Sequence, residues 1–227
     1  MKRTFSNQAV CGICRAEVDV KQMLRHVKAC RQANPLPEGK RKQKIFTLRV
    51  TSCEYPGYFL YLEMEGKKKL SLLDGLLRDI WLECCGHISQ FTIEGGCYSS
   101  YTDGDIIEEL GEQSDMSAKL QDVLEEGLAF EYDYDMGSTT DLDLEVVDVR
   151  ETKESLPNGF LLVARNLPPA IVCKKCKVPA TQVLAAYVKN DGAYCEACAE
   201  KLPEEDSDMM LPVVNSPRMG VCGYTGE

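Results

Sequence analysis

Two cysteine pairs, Cys173-x-x-Cys176 and Cys195-x-x-Cys198, constrain this chain more than any other feature, because the eighteen residues between them set a metal-ribbon spacing. Each Cys-x-x-Cys turn aims two sulfurs at one point, and a second pair completes a tetrahedron at about 2.3 Å per bond. The pattern predicts a four-cysteine zinc ribbon. Lys174, Lys175 and Lys177 stand in the first turn, where cations and backbone amides offset the charge of four thiolates. Near the other end, Cys11-x-x-Cys14 is followed by His26 and Cys30. His26 and Cys30 are four residues apart and project from one face of a helix. A zinc finger of the Cys-Cys-His-Cys type with a ββα-like shape is expected, with Met23, Leu24 and Val27 as its small core. A module this short cannot fold by burial alone, so the metal supplies most of its folding free energy. The competing readings are disulfides, a redox Cys-x-x-Cys pair, or a chance pair beside an ordinary helix.

The compartment weighs on that choice. The opening Met1-Lys2-Arg3-Thr4-Phe5-Ser6-Asn7-Gln8 is basic, but no apolar segment follows, so no secretory signal is expected. No run approaches the roughly 18 apolar residues of a membrane helix, and no membrane partner is expected. The reading is a cytoplasmic chain whose 12 cysteines stay reduced, where paired cysteines are metal ligands before they are disulfides.

The net charge of −10 conceals an asymmetry. Residues 1–50 hold twelve Lys and Arg against three Asp and Glu, a balance of +9, and the remainder carries 14 − 33 = −19. Polyanions are therefore a partner class for the N-terminal arm alone. Lys21, Arg25, Lys28 and Arg31 share the finger helix, and Lys40, Arg41, Lys42 and Lys44 follow it. That footprint suits phosphate contact, although no interleaved aromatics support base stacking. The finger spacing is also similar to a ubiquitin-binding zinc finger. Lys28 stands where that family places an acidic residue, which argues against ubiquitin.

The chain divides into a finger (1–33), a basic linker (34–44), an α+β domain (45–168), the ribbon (169–202), and an acidic stretch with an irregular tail (203–227). Within the middle domain, 45–50, 58–64 and 88–94 alternate as strands. Residues 70–85 carry a helical stripe of Leu73, Leu76, Leu77, Ile80, Trp81 and Cys84. Ser71 with Asp74 reads as a capping box, and Gly86 is placed to end the helix. The stretch from Asp103 to Leu124 reads as partly helical. Residues 128–135 and 142–149 read as a hairpin, and 159–165 as another strand. Strands outnumber helices, so the expected class is α+β: a central antiparallel sheet with a packed amphipathic helix, flanked by the two zinc modules.

Two passages carry a family resemblance: Trp81-Leu82-Glu83-Cys84-Cys85-Gly86-His87-Ile88-Ser89-Gln90-Phe91, and Tyr132 through Leu142. Over roughly residues 44–165 they resemble the plasmid pRiA-type ORF-three-like family, whose members are also labelled insertion-element passenger or TnpR-like proteins. Met136 stands where that family often has Phe, and Ser138-Thr139-Thr140 replaces an Asp-Trp region, marking a divergent, zinc-bearing branch. The resemblance implies an α+β fold and an association with mobile elements.

Two functions from different classes then compete. The favoured one is a non-catalytic binding or adaptor protein docking an unidentified protein partner, with nucleic-acid contact through the basic arm. The alternative is an enzyme using His87 with Cys84, Cys85 or Asp135, a thiol beside an imidazole serving as nucleophile and base. Against it stands the plainer expectation that Cys84 continues a buried helix face and that His87 is largely buried, with a backbone or carboxylate partner. A third metal site on Cys84, Cys85 and His87, joined by Cys97, is a further alternative.

Overall fold

The computed structural model describes residues 1–101, 113–185 and 192–226. Strands β1 (Gln8–Cys11) and β2 (Glu17–Asp19) form a hairpin, and a short 3-10 turn leads into helix α1 (Met23–Ala33). Strands β3 (Glu38–Ser52) and β4 (Phe59–Glu65) follow, then helix α2 (Leu70–Leu77), prolonged by a π-helical turn over Arg78–Leu82. Next come β5 (Ser89–Ile93), β6 (Gly96–Ser99), β7 (Gln113–Asp115), the one-turn helix α3 (Leu120–Val123), β8 (Ala129–Tyr134), β9 (Thr140–Glu154) and β10 (Phe160–Asn166). The last part adds β11 (Gln182–Leu184), β12 (Ala193–Tyr194), α4 (Glu196–Ala199), α5 (Glu204–Ser207) and β13 (Met210–Pro212).

Among the described residues ten strands form one sheet in the order β2-β1-β10-β4-β3-β9-β8-β5-β6-β7, antiparallel except where β6 runs parallel to β7. The fold is thus α+β, dominated by a large antiparallel sheet with few helices. Strand β4 sits inside it and is buried on both faces. Leu60, Leu62 and Met64 enter the main core with Leu73, Leu77 and Trp81 of the α2 segment. Phe59 and Tyr61 point the other way, under Met23 and Val27 of α1. Period-two alternation sends neighbouring side chains to opposite faces, so one continuous apolar strand serves two cores. Each fully buried leucine contributes about 1.5–3 kcal/mol.

Several expectations need correction. The finger does not flank the sheet as a separate module: β1 pairs with β10, and α1 packs on the sheet's second face. The buried ion pair Arg31–Glu63, at 3.1 Å, ties α1 to β4, and Arg150 reaches the same carboxylate at 2.8 Å. Residues 38–44, expected in a linker, belong to β3, though most of their side chains remain exposed. The capping box is not formed. Lys69 is the N-cap of α2, and the first helical amides are taken by the carbonyls of Ala118 and Met116. Asp74 instead turns inward to accept hydrogen bonds from Tyr132 (2.7 Å), Ser89 (2.6 Å) and Arg78 (2.9 Å). The helix stops at Leu82, before Gly86. The first part of the Asp103–Leu124 stretch, 103–112, lies outside the described residues, and among those described α3 is helical.

The residues after β13 are irregular, as expected, but they are not peripheral. Ser216, Arg218, Met219 and Tyr224 are buried. The segment forms a strap across the core: Ser216 donates to the Trp81 carbonyl at 2.6 Å, and Arg3 donates to the carbonyls of Pro217 and Met219, both at 3.2 Å.

Candidate metal centres

The two predicted ligand sets come together. In the first, Cys11, Cys14, His26 and Cys30 place their donor atoms within 4.8 Å of one another. The β1–β2 turn supplies the first two, and α1 presents the others from one face. Cys14 Sγ lies 3.4 Å from His26 Nε2. Tetrahedral geometry with metal–sulfur bonds of about 2.3 Å separates neighbouring donors by about 3.5–3.8 Å, so this sulfur and nitrogen stand close to ligand spacing. Asn34 Nδ2 donates to the Cys30 carbonyl (2.9 Å) and approaches its sulfur (3.6 Å), holding that ligand from outside. Backbone hydrogen bonding from Ala16, with His26 alongside, lowers the Cys14 thiol to about 7, while burial pushes Cys30 up to about 11.

The second set is Cys173, Cys176, Cys195 and Cys198, again within 4.8 Å. Cys195 is the N-cap of α4 and Cys198 lies within it, and Cys176 and Cys195 are 3.5 Å apart. Burial would raise the Cys173 thiol, but amides of Cys176, Cys195 and Lys175 outweigh it and bring the thiol to about 6. Hydrogen bonding to Cys176 raises Cys198 to about 12. The β12-β11-β13 sheet and a small core around Leu184 and Tyr194 support this set.

Both first turns are built alike. The amide of Arg15 bonds the Cys11 carbonyl and that of Cys11 bonds the Ala16 carbonyl; the amide of Lys177 bonds the Cys173 carbonyl and that of Cys173 bonds the Val178 carbonyl. The residue after the second cysteine is left-handed in each, Arg15 at φ 65° and Lys177 at φ 67°. Non-glycine residues seldom adopt that conformation, and two unrelated sequences share it beside paired sulfurs.

A third cluster lies at the end of the α2 segment. Cys84, Cys85 and His87 meet Cys222 of the C-terminal strap, with all four donor atoms within 4.8 Å. Cys97, expected here, is instead on β6, bonded to Gln90 Oε1 at 3.4 Å. Arg78 fixes the loop from one side, donating to Glu83 (2.8 Å), the His87 carbonyl (2.8 Å) and Ser89 (2.7 Å). From the other side, Arg218, with no exposed surface, pairs with Asp135 at 2.6 Å. His87 is 28% exposed rather than largely buried, and its Nε2 faces Cys85 (2.9 Å), Cys222 (3.2 Å) and Asp135 (3.5 Å). Its partners are thus two thiols and a carboxylate. Hydrogen bonding to Cys84, then burial and Cys222, push the Cys85 thiol up to about 12, the opposite of nucleophile activation. Sequence reasoning missed Cys222 and Arg218 because only tertiary packing brings the strap here. The one local signal was Cys222 among the glycines Gly220 and Gly223.

The basic residues divide. Lys28 is paired with Asp148 at 2.6 Å and Arg31 is buried, whereas Lys21, Arg25, Lys40, Arg41, Lys42 and Lys44 are exposed. Among the described residues no helix is long and apolar enough to cross a membrane.

No protein-family model matches the chain, and no curated protein matches it. Among solved structures it is similar to MM3350 of Methanosarcina mazei Go1, a protein of unknown function, with 14% identity and a TM-score of 0.45, covering 57% of this chain and 71% of that one.

Proposed function

We propose that this chain is a zinc-carrying, non-catalytic binding or adaptor protein, with a finger on Cys11, Cys14, His26 and Cys30 and a ribbon on Cys173, Cys176, Cys195 and Cys198. One observation carries the reading. Each set brings four protein donors within 4.8 Å of one another, and four protein ligands close a tetrahedral zinc, whereas a catalytic zinc keeps a position open for water or substrate. Zinc bound there is scaffold. Thiolate and imidazole donors favour zinc over the hard cations that take oxygen ligands. The two motifs that resemble the plasmid ORF-three-like family give the reading its context, a protein carried by mobile elements.

The enzymatic alternative draws on the short Cys85–His87 contact. A nucleophile–base pair needs a third group orienting the ring through its other nitrogen. Here Asp135 approaches the same Nε2 that faces the sulfurs, and its carboxylate is already bound to Arg218. Both features favour the binding reading.

Nucleic acid is the proposed partner of the basic arm, with Lys40, Arg41, Lys42 and Lys44 as the exposed cations on β3. Fluorescence anisotropy with a duplex DNA and a single-stranded RNA over a range of salt concentrations tests it. Affinity for one of them should fall steeply with salt, and each Lys→Ala change should reduce the logarithmic slope by about 1. Salt-independent binding, or no binding at low salt, rejects nucleic acid as the partner and leaves a protein ligand.

A further inference from the structure

We propose that Cys84, Cys85, His87 and Cys222 form a third zinc site, one that clasps the C-terminal strap to the central sheet. It goes beyond the two scaffold ions above and rests on a different part of the molecule.

The donor separations carry the proposal. Cys84 and Cys85 sulfurs are 3.7 Å apart, Cys85 and Cys222 sulfurs 3.8 Å, and His87 Nε2 lies 2.9 and 3.2 Å from Cys85 and Cys222. An edge of a four-coordinate zinc–thiolate tetrahedron is about 3.8 Å. A disulfide would need sulfurs about 2.05 Å apart. Both sulfur–sulfur distances thus match a shared metal rather than a bond. The donor types, three cysteines and one histidine, repeat those of the N-terminal set.

The convergence does not depend on the cysteines themselves. Ser216 on the Trp81 carbonyl, Arg218 on Asp135 and Arg3 on two strap carbonyls fix the path of the strap before it reaches Cys222. On the other side, Arg78 anchors the 83–89 loop. Gly86 takes φ +76°, which lets Cys85 and His87 double back toward one point. Cys222 itself is left-handed at φ 49°, as are the residues that follow the paired cysteines in both end clusters. A strained cysteine is kept where its sulfur has a task.

Charge completes the case. Three thiolates and one zinc ion carry a net charge of −1, and Arg218 Nη2 lies 3.5 Å from Cys84 Sγ, where its cation offsets that charge. Arg218 also bonds Asp135, so one buried guanidinium links the strap, the β8–β9 turn and the metal ligands.

Native mass spectrometry of the full chain purified with zinc under reducing conditions tests the proposal. Wild type should carry three zinc ions. Cys222→Ser should carry two, as should Cys14→Ser and Cys176→Ser, each from its own site. Hydrogen exchange in Cys222→Ser should rise in residues 83–88 and 213–226 while the sheet stays protected. His87→Cys, which keeps a fourth ligand, should retain three ions, and its cobalt-substituted form should gain sulfur-to-cobalt charge-transfer intensity over wild type. Two ions in wild type, unchanged by Cys222→Ser but reduced by the other two serine variants, overturn the third site and leave the end sites standing. A cobalt spectrum unaltered by His87→Cys, or a Cys85–Cys222 disulfide under reducing conditions, also overturns it. A chain with no zinc overturns both this proposal and the two-ion reading.

Discussion

The end clusters and the central cluster are assembled in different ways. Cys176 and Cys195 are 19 residues apart in the chain and touch across a small sheet of their own, whereas Cys85 meets Cys222 across 137 residues. In the first arrangement, local turns bring the ligands together and the surrounding core is thin, so a bound metal holds the local fold. In the second, buried ion pairs and a packed strap bring the ligands together, and a metal would lock what packing has already placed. The finger lies between these extremes: its ligands are local, but its hairpin and helix are built into the large sheet through β10 and Glu63. Proximity in sequence therefore predicts how much a site's surroundings depend on its ion.

The sharpest way to break that ordering is to remove one ligand from each end site. Cys176→Ser should loosen the ribbon at 169–185 and 192–202, with amide protection lost there and the large sheet intact, because its three-stranded sheet and core are small and the metal adds much of their stability. Cys14→Ser should loosen only the β1–β2 turn, since Met23, Val27 and Arg31 keep α1 docked. Equal losses at the two sites would contradict the comparison. The next effect concerns packing without metal. Arg218→Met leaves Asp135 buried and without its cation, and breaking such a pair costs about 3–5 kcal/mol. Denaturant melting followed by the single tryptophan, Trp81, should show this loss whether or not zinc is present. A loss seen only in the zinc-loaded protein would mean that Arg218 acts through the metal alone.

This difference also explains what the sequence disclosed. The end ligand sets were legible because a Cys-x-x-Cys turn and an i, i+4 pair on a helix are local geometry. The strand readings at 58–64 and 142–149 fall on β4 and on the first part of β9, and the buried stripe Leu73, Leu77 and Trp81 showed in its helical period. Three features were not legible. Asp74 looked like a capping residue because Ser71 precedes it at the right spacing, yet Tyr132 and Ser89, far along the chain, draw it into the core. Residues 40–44 looked like linker because their composition is polar, but Gln43 and Lys44 pair with Thr152 and Glu151 of β9, and Lys40, Arg41 and Lys42 lie in the irregularity between that register and the Glu38–Glu154 pair. Cys222 sat in a tail without periodicity, and only tertiary contacts, such as the buried Arg218–Asp135 pair and Ser216 on the Trp81 carbonyl, show that this tail has a fixed place.

Acid separates the two kinds of assembly more gently. Burial alone would raise the Asp135 carboxyl, but Arg218 and the amides of Gly137 and Ser138 hold it below the usual carboxylate value. Glu65 is likewise held low: burial opposes this, while Gln43, the Leu156 amide and Lys67 bring it about. A carboxylate whose folded value lies below its unfolded one stabilises the fold fully above the unfolded value of about 4. That contribution is lost as pH falls through the lower, folded value. Zinc thiolates respond to protons earlier, since each proton that binds a sulfur competes directly with the metal. An acid titration should therefore show two steps. Zinc release, read with a chromogenic chelator, should come first, on the higher-pH side of the carboxylate range. Trp81 fluorescence, which reports the sheet core, should change later, below about pH 4. Simultaneous changes in both signals would mean that the sheet and its strap depend on metal as fully as the ribbon does, and the distinction between local and packed sites would fail.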